Sequence, residues 1–259
     1  FVTSSIRLTF EHLRQPYKLI HVHSIPDFQI FAALLPRFLG ARLVLDIHDI
    51  VPEFYASKFA TTESSIICRT LRVVERVSCA AGHHVIISNH IWRKKLVKRS
   101  VAPRKCSVIM NYPDPAIFSR KRNRATSGDF ILMYPGTLSY HQGLHVALGA
   151  VSRLHHQYPQ IRLHIYGRGP ELNNLERLTR ELRLTGIVTF GGTLPLHDIA
   201  QEMANADLAI VPKLPDKFGD EAFSTKTLEF MMLGVPVCLS ATTIDKFYFT
   251  SSVVAFFKP

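Results

Sequence analysis

A chain of 259 residues that is 47% hydrophobic has ample material for a core, and its length suits one large domain or two modest ones. No apolar run approaches the roughly 18 residues of a membrane span. Four cysteines without a Cys-x-x-Cys pair exclude a disulfide frame or a zinc ribbon, so Cys68, Cys79, Cys106 and Cys238 read as small core residues in a reducing cytoplasm. The net charge of +11 is lopsided, because residues 1–125 carry 20 Lys+Arg against 8 Asp+Glu. Such a half points to an anionic partner, a membrane surface or a polyanion, although solvated helix faces give the same count.

In chain order, a helix ending near Arg14 is followed by strands at 19–22, 42–47, 84–87 and 107–110. Helical spacing covers 30–39, 64–81 and 91–98. The stretch 111–129 is rich in Pro, Arg, Asn and Ser, and a linker is expected at 119–128. Strand-like runs then recur at 130–134, 161–166, 187–190, 207–211, 236–239 and 252–257. Helices alternate with them at 143–158, from Pro170 to Leu182, at 195–206 and at 225–233, the last closed by Gly234 with Pro236 beyond it. Near-continuous apolar strands alternating with helices predict parallel sheets covered on both faces.

The expected fold is therefore α/β, with two Rossmann-like doubly wound domains at 1–118 and 129–259. Two such halves would face each other across a cleft at their strand C-terminal edges, where doubly wound sheets bind ligands. Four strands fall short of a full set in the first half, so that domain reads as incomplete. With the helical opening at Phe1 and the stop at Pro259, the expectation is a chain cut at both ends.

Several chemistries lack their motifs. There is no phosphate loop of the G-x-x-x-x-G-K-[ST] type, no G-x-S-x-G, no H-E-x-x-H and no D-x-D pair for a metal–diphosphate complex. Gly167-Arg168-Gly169-Pro170 follows a strand and opens a helix, but Leu172 stands where a dinucleotide fingerprint needs its third glycine. His21 and His23 have metal-like spacing with no convergent Cys or carboxylate evident, and read as non-ligands.

The most informative stretch is Glu221-Ala-Phe-Ser-Thr-Lys-Thr-Leu-Glu229 with its Gly234-Val-Pro-Val tail. Ser224 or Thr225 can cap a helix whose free N–H groups suit a diphosphate, and Lys226 adds a full charge at that end. Glu229 lies one turn in, where a carboxylate can accept from ribose hydroxyls. A solvated helix with two ordinary glutamates would carry the same letters.

Those residues closely resemble glycosyltransferase family 4, whose retaining, GT-B-fold members carry Glu-x7-Glu. The likeness extends in order through Tyr134-Pro-Gly-Thr-Leu138, His141-Gln-Gly-Leu144, Ile165-Tyr-Gly-Arg-Gly-Pro170 and Ala206-Asp-Leu208. In the first half it takes in Val22-His-Ser24 and Asp46-Ile-His-Asp49. It implies that Glu229 binds the donor ribose and Glu221 positions the transferred sugar. Backbone N–H groups near Phe223, Ser224 and Thr225 would hold sugar and diphosphate, and His48 would approach the sugar from the first domain. The family commonly has Arg after Gly136 and Lys before Gly143. Here Thr137 and Gln142 stand there, leaving Lys226 and Arg168 to compensate.

The resemblance implies a metal-independent hexosyltransferase with a nucleoside-diphosphate sugar as donor substrate, no metal and no resident cofactor. Its acceptor would be a glycan or a lipid-linked molecule, with no nucleic acid involved. Loss of the two cations leaves open a non-catalytic nucleotide-sugar-binding subunit of a polysaccharide assembly system. The expected location is cytoplasmic, with peripheral contact to the inner membrane face through the basic first half. The segment Trp92-Arg-Lys-Lys-Leu-Val-Lys-Arg99 would make that contact unless Trp92 and Leu96 pack inward.

Overall fold

The structure, a computed structural model, describes residues 1–119, 128–216 and 218–258. It divides into two compact units, Phe1–Asn111 and Tyr112–Pro259. Most of the expected 119–128 linker lies outside the described residues. Ile117 and Phe118, just before it, already pack in the core of the second unit.

The first unit runs α1 (Val2–Arg14), β1 (Leu19–His23), a 3-10 stretch, α2 (Leu34–Phe38), β2 (Arg42–Ile47), α3 (Val51–Lys58), α4 (Ile66–Ala81), β3 (His84–Ile87), α5 (His90–Arg99) and β4 (Cys106–Val108). The four strands are parallel in the order β1-β2-β3-β4. Alternation sends Leu43, Leu45 and Ile47 of β2 into the core. Ser65 caps α4 by accepting from the Cys68 N–H at 3.3 Å, and Asn89 caps α5 by accepting from the Trp92 N–H at 2.8 Å.

Three readings of this half change. The helix expected at 30–39 is a 3-10 turn over Asp27–Ala33 that passes into α2. Helix α3 went unread, because its apolar positions do not segregate to one face; Pro52 in its first turn was the available signal. Trp92 and Leu96 are buried at 2% and 0% exposure, so α5 turns its apolar side to the sheet and not to a lipid surface. The exposed apolar positions lie instead on α4, at Ile66, Ile67, Val73 and Val77, interleaved with Arg69 and Arg76.

Arg99 at the end of α5 ties this half together. Its Nη2 donates to Glu53 Oε2 of α3 at 2.9 Å and to Glu75 Oε2 of α4 at 2.6 Å. Both carboxylates are almost fully buried. Burial alone would lower the guanidinium pKa, but the bonds to Glu53 and Glu75 outweigh it and hold it above the usual value.

The second unit comprises β5 (Phe130–Pro135), α6 (Leu144–Leu154), β6 (Ile161–Tyr166), α7 (Leu172–Glu181), β7 (Val188–Phe190), α8 (Leu196–Asn205), β8 (Leu208–Val211), α9 (Thr225–Met232), β9 (Val237–Ser240), α10 (Thr243–Tyr248) and β10 (Ala255–Phe257). All pairings are parallel, in the order β10-β9-β8-β5-β6-β7. Counted from β5, this is the 3-2-1-4-5-6 doubly wound sheet. The two units are thus two Rossmann-like parallel-sheet domains, as expected. On β5, Leu132 and Tyr134 join the core under α6 and α7, while Met133 joins the core under α8 and α9. Phe230 of α9 is fully buried there, a contribution of about 1.5–3 kcal/mol.

Candidate functional site

The order in which successive strands join the second sheet reverses between β5 and β8, and the connections leaving those two parallel strands diverge to opposite faces there. The loop after β5 carries Gly136 to Gly143; the segment after β8 leads to Glu221 and α9. The two loops touch closely at Gly143, which has φ +68, and a β-carbon there would sit 1.8 Å from the Pro212 carbonyl oxygen. Only glycine tolerates both conditions. A similar approach holds Gly167 against Gly136, whose carbonyl oxygen would lie 1.9 Å from an added β-carbon.

The start of α9 lies at this reversal. Ser224 is its cap residue, but its side chain makes no capping bond, and its Oγ is buried without a hydrogen-bond partner. The first turn of a helix carries N–H groups with no intrahelical acceptor and the positive end of its dipole. The Thr227 N–H bonds the Ser224 carbonyl at 3.2 Å, and the positive end of the helix with the unpartnered serine hydroxyl suits an anion's oxygens. At its far end α9 stops at Gly234, in the left-handed conformation at φ +68.

Lys226 extends from that first turn over the β5 loop. Its Cε would be 2.9 Å from a β-carbon added to Gly136, so the glycine makes room for the side chain. The ammonium is 3.5 Å from Gln142 Oε1 and 5.1 Å from the centroid of the Tyr134 ring. The buried Tyr134 hydroxyl in turn lies 3.0 Å from Gln142 Oε1 and from the Thr137 carbonyl oxygen. Burial pushes the Lys226 pKa down to about 8, helped by Lys213 and opposed by Glu229 and Asp245. Glu229 is half-buried one turn further on, and burial raises its pKa against the pull of Lys226 and a hydrogen bond from Thr225.

Glu221 stands before the helix on a turn, its N–H bonded to the Phe218 carbonyl at 3.1 Å. The backbone on either side is clamped. Asp220 accepts from the N–H groups of Thr243 and Ile244, both at 2.9 Å. Lys213 Nζ donates to the Ala222 carbonyl at 2.7 Å and pairs with Asp245 Oδ2 at 3.1 Å. Phe223 packs edge-on against Tyr248 with centroids 5.1 Å apart. Lys213 was missed in the sequence, where nothing distinguishes it from a surface lysine, yet it is only 4% exposed. Burial lowers its pKa, and Asp245 offsets part of that.

A cavity of about 270 Å³ opens where β5, β6 and β7 end. Gly136, Thr137, Gly167, Arg168, Gly192 and Thr193 are among its walls. The structure thus gathers Gly136, Gln142 and Lys226 in one contact, sets Thr137 and Arg168 at the cavity, and strings Glu221 to Glu229 along the start of α9. His48 belongs to the other unit, just past β2, with its Nε2 3.0 Å from His23 Nδ1. There one reading is corrected. His21 and His23 do have a convergent carboxylate, since Asp46 lies beside both. Asp46 is 23 residues or more away along the chain, so only strand pairing shows it.

Residues 116–254 match the family described as Glycosyl transferases group 1. Over 157 residues the chain is 28% identical to a putative colanic acid biosynthesis glycosyltransferase, WcaL, of Escherichia coli K12; the match covers 60% of this chain and 39% of that protein. Over 134 residues it is 31% identical to the glycogen synthase of Mycobacterium tuberculosis H37Rv, covering 52% of this chain and 31% of that one. Each match spans well under half the length of the relative. Among solved structures, Anabaena Alr3699/HepE in complex with UDP superposes with a TM-score of 0.73 at 18% identity, over 98% of this chain and 68% of that one. At that identity the likeness speaks for the fold alone. The family match covers more than half of the chain and spans the geometry of the second unit just described, so the chain belongs to the group 1 glycosyltransferases.

Proposed function

We propose that the protein transfers a hexose, with retention of anomeric configuration and without a metal, from a nucleoside-diphosphate sugar to a glycan or lipid-linked acceptor. The observation that carries this reading is the meeting of Lys226, Gly136 and the uncapped start of α9 at the reversal of the sheet. A diphosphate there would take the helix N–H groups and the Ser224 hydroxyl on one side and the Lys226 ammonium on the other. Glu229 would accept from ribose hydroxyls, and Glu221 would face the sugar from its clamped turn. Thr137 and Arg168 would contact the donor from the cavity wall. The solved relative in complex with UDP-glucose supports a donor of this class.

In the transfer step the bond from the anomeric carbon to the diphosphate oxygen breaks, and its electron pair stays with the diphosphate. The acceptor oxygen bonds to the same carbon, and its proton passes to the departing diphosphate. Stabilisation of that leaving charge by Lys226 and the helix start is the main catalytic contribution, with Glu221 serving the sugar. Thr137 and Gln142 remove two cations that related enzymes carry, and Lys226 supplies one charge in their place. The same replacement favours the second reading, a nucleotide-sugar-binding subunit without turnover. Cytoplasmic work at the inner membrane face suits a lipid-linked acceptor. Among the described residues no helix is long and apolar enough to cross a membrane.

The test is a thermal-shift screen of nucleotide sugars followed by a donor-hydrolysis assay. A shift with slow hydrolysis supports the transferase. A shift without turnover in any acceptor condition supports the binding subunit, and no shift with any nucleotide sugar overturns both.

A further inference from the structure

The first unit holds a constellation that sugar transfer leaves unused. His21 and His23 stand two residues apart on β1, so strand alternation puts both imidazoles on one face. Their rings stack with centroids 4.4 Å apart. Strand β2 runs parallel alongside and sets Asp46 opposite His23. Asp46 Oδ2 lies 3.1 Å from His21 Nε2 and 3.5 Å from His23 Nδ1. One ligand atom from each of the three falls within 4.8 Å of the others.

Two imidazoles and one carboxylate are a donor set for a borderline divalent cation. Zinc bonds to such atoms are about 2.0–2.1 Å long, which puts neighbouring ligands of a tetrahedron about 3.3 Å apart. The separations from Asp46 Oδ2 to the two imidazoles, 3.1 and 3.5 Å, bracket that edge. Access is open as well, since the imidazoles are 43% and 60% exposed while Asp46, at 17%, is held by the sheet. We propose that His21, His23 and Asp46 bind one zinc-class divalent cation. The three ligands leave a fourth position for water. Binding takes His23 Nδ1 away from His48, whose ring it now meets at 3.0 Å.

The same short contacts would occur in a cluster that is only hydrogen-bonded, and titration separates the two. The 259-residue chain is freed of metal and titrated with Zn²⁺ by calorimetry, then with Co²⁺ by visible absorption. One saturable site of micromolar affinity or tighter, with the intense bands of tetrahedral Co²⁺, is expected. His21→Ala and His23→Ala should each weaken binding by about tenfold or more, and Asp46→Asn, which keeps the side-chain shape, should do the same. His155→Ala with His156→Ala removes another close imidazole pair, tilted with centroids 4.3 Å apart, and should leave binding unchanged. Circular dichroism of each variant without metal confirms its fold. Absence of a saturable site, or binding that survives His23→Ala and Asp46→Asn in folded protein, overturns the proposal.

Discussion

Replacing Lys226 by methionine removes its charge while keeping an unbranched stem over Gly136 and Tyr134. A charge-assisted hydrogen bond to a diphosphate contributes about 1.5–3 kcal/mol, so nucleoside-diphosphate affinity should fall by roughly 10- to 150-fold. The depressed pKa adds a sharper test. With a pKa of about 8, Lys226 is about 90% charged at pH 7 and about 10% charged at pH 9. A bound diphosphate favours the ammonium, so binding near pH 8 must take up a proton. Wild-type affinity should therefore weaken by up to about tenfold from pH 7 to pH 9. Lys226→Met should lack that slope, which also controls for ionisation of the nucleotide.

Stability should move the other way. The folded pKa of Lys226 lies below its ordinary 10.5, so burying the charged form costs stability. That cost is complete below about pH 8 and fades as pH rises toward 10.5. Ligand-free Lys226→Met should then be more stable at pH 7, on the order of 1–3 kcal/mol after allowance for solvent screening. Calorimetric titration of the nucleoside diphosphate selected by the thermal-shift screen, in buffers of different ionisation enthalpy, with urea unfolding at pH 7 and pH 10, measures all of this. Equal affinity in the two proteins at pH 7, with no proton uptake by the wild type, would refute the reasoning.

If Glu229 binds the donor ribose as proposed, Glu229→Gln should chiefly raise the donor KM, because ribose does not react; if Glu221 faces the sugar as proposed, Glu221→Gln should chiefly lower kcat, because charge develops there. Steady-state kinetics of both variants separates these roles, and unchanged constants in both would remove the pair from the site. Arg99→Met strands the buried Glu53 and Glu75 and should cost about 3–5 kcal/mol in urea unfolding; a loss below about 1 kcal/mol would mean the triad is solvated. Gly143→Ala forces a β-carbon against the Pro212 carbonyl at a positive φ, so both the melting temperature and donor affinity should fall. Wild-type values in a folded variant would show that the two loops can part freely. Ile66→Asp with Ile67→Asp should abolish sedimentation with anionic vesicles if α4 is the lipid-facing helix, while Trp92→Phe should not. Undiminished sedimentation of the aspartate variant would clear α4 of that role.

Local signals made much of the fold legible. Alternation of apolar strands with helices of 3.6-residue spacing foretold parallel α/β domains, since each element shows its buried stripe in its own letters. Glycine after α9 and proline in the first turn of α3 are signals that act within one turn of chain, although only the first of them was read. The Glu221 to Glu229 segment was legible for the same reason, because one turn and one helix start carry it.

Other features depend on residues far apart in the chain. Nothing near Lys213 says that Asp245 will receive its charge, or that it will hold the Ala222 carbonyl just after Glu221. The inward face of Trp92 and the outward face of Ile66 depend on which side of each helix meets the sheet. Helical spacing names a stripe but not its partner. Asp46 reaches His21 and His23 only because β1 and β2 pair in one register, and a shift by one residue would turn its carboxylate to the other face. Sequence order determines which elements form and where they cap. Strand pairing and burial decide which charges meet, because those contacts exist only after distant segments have packed.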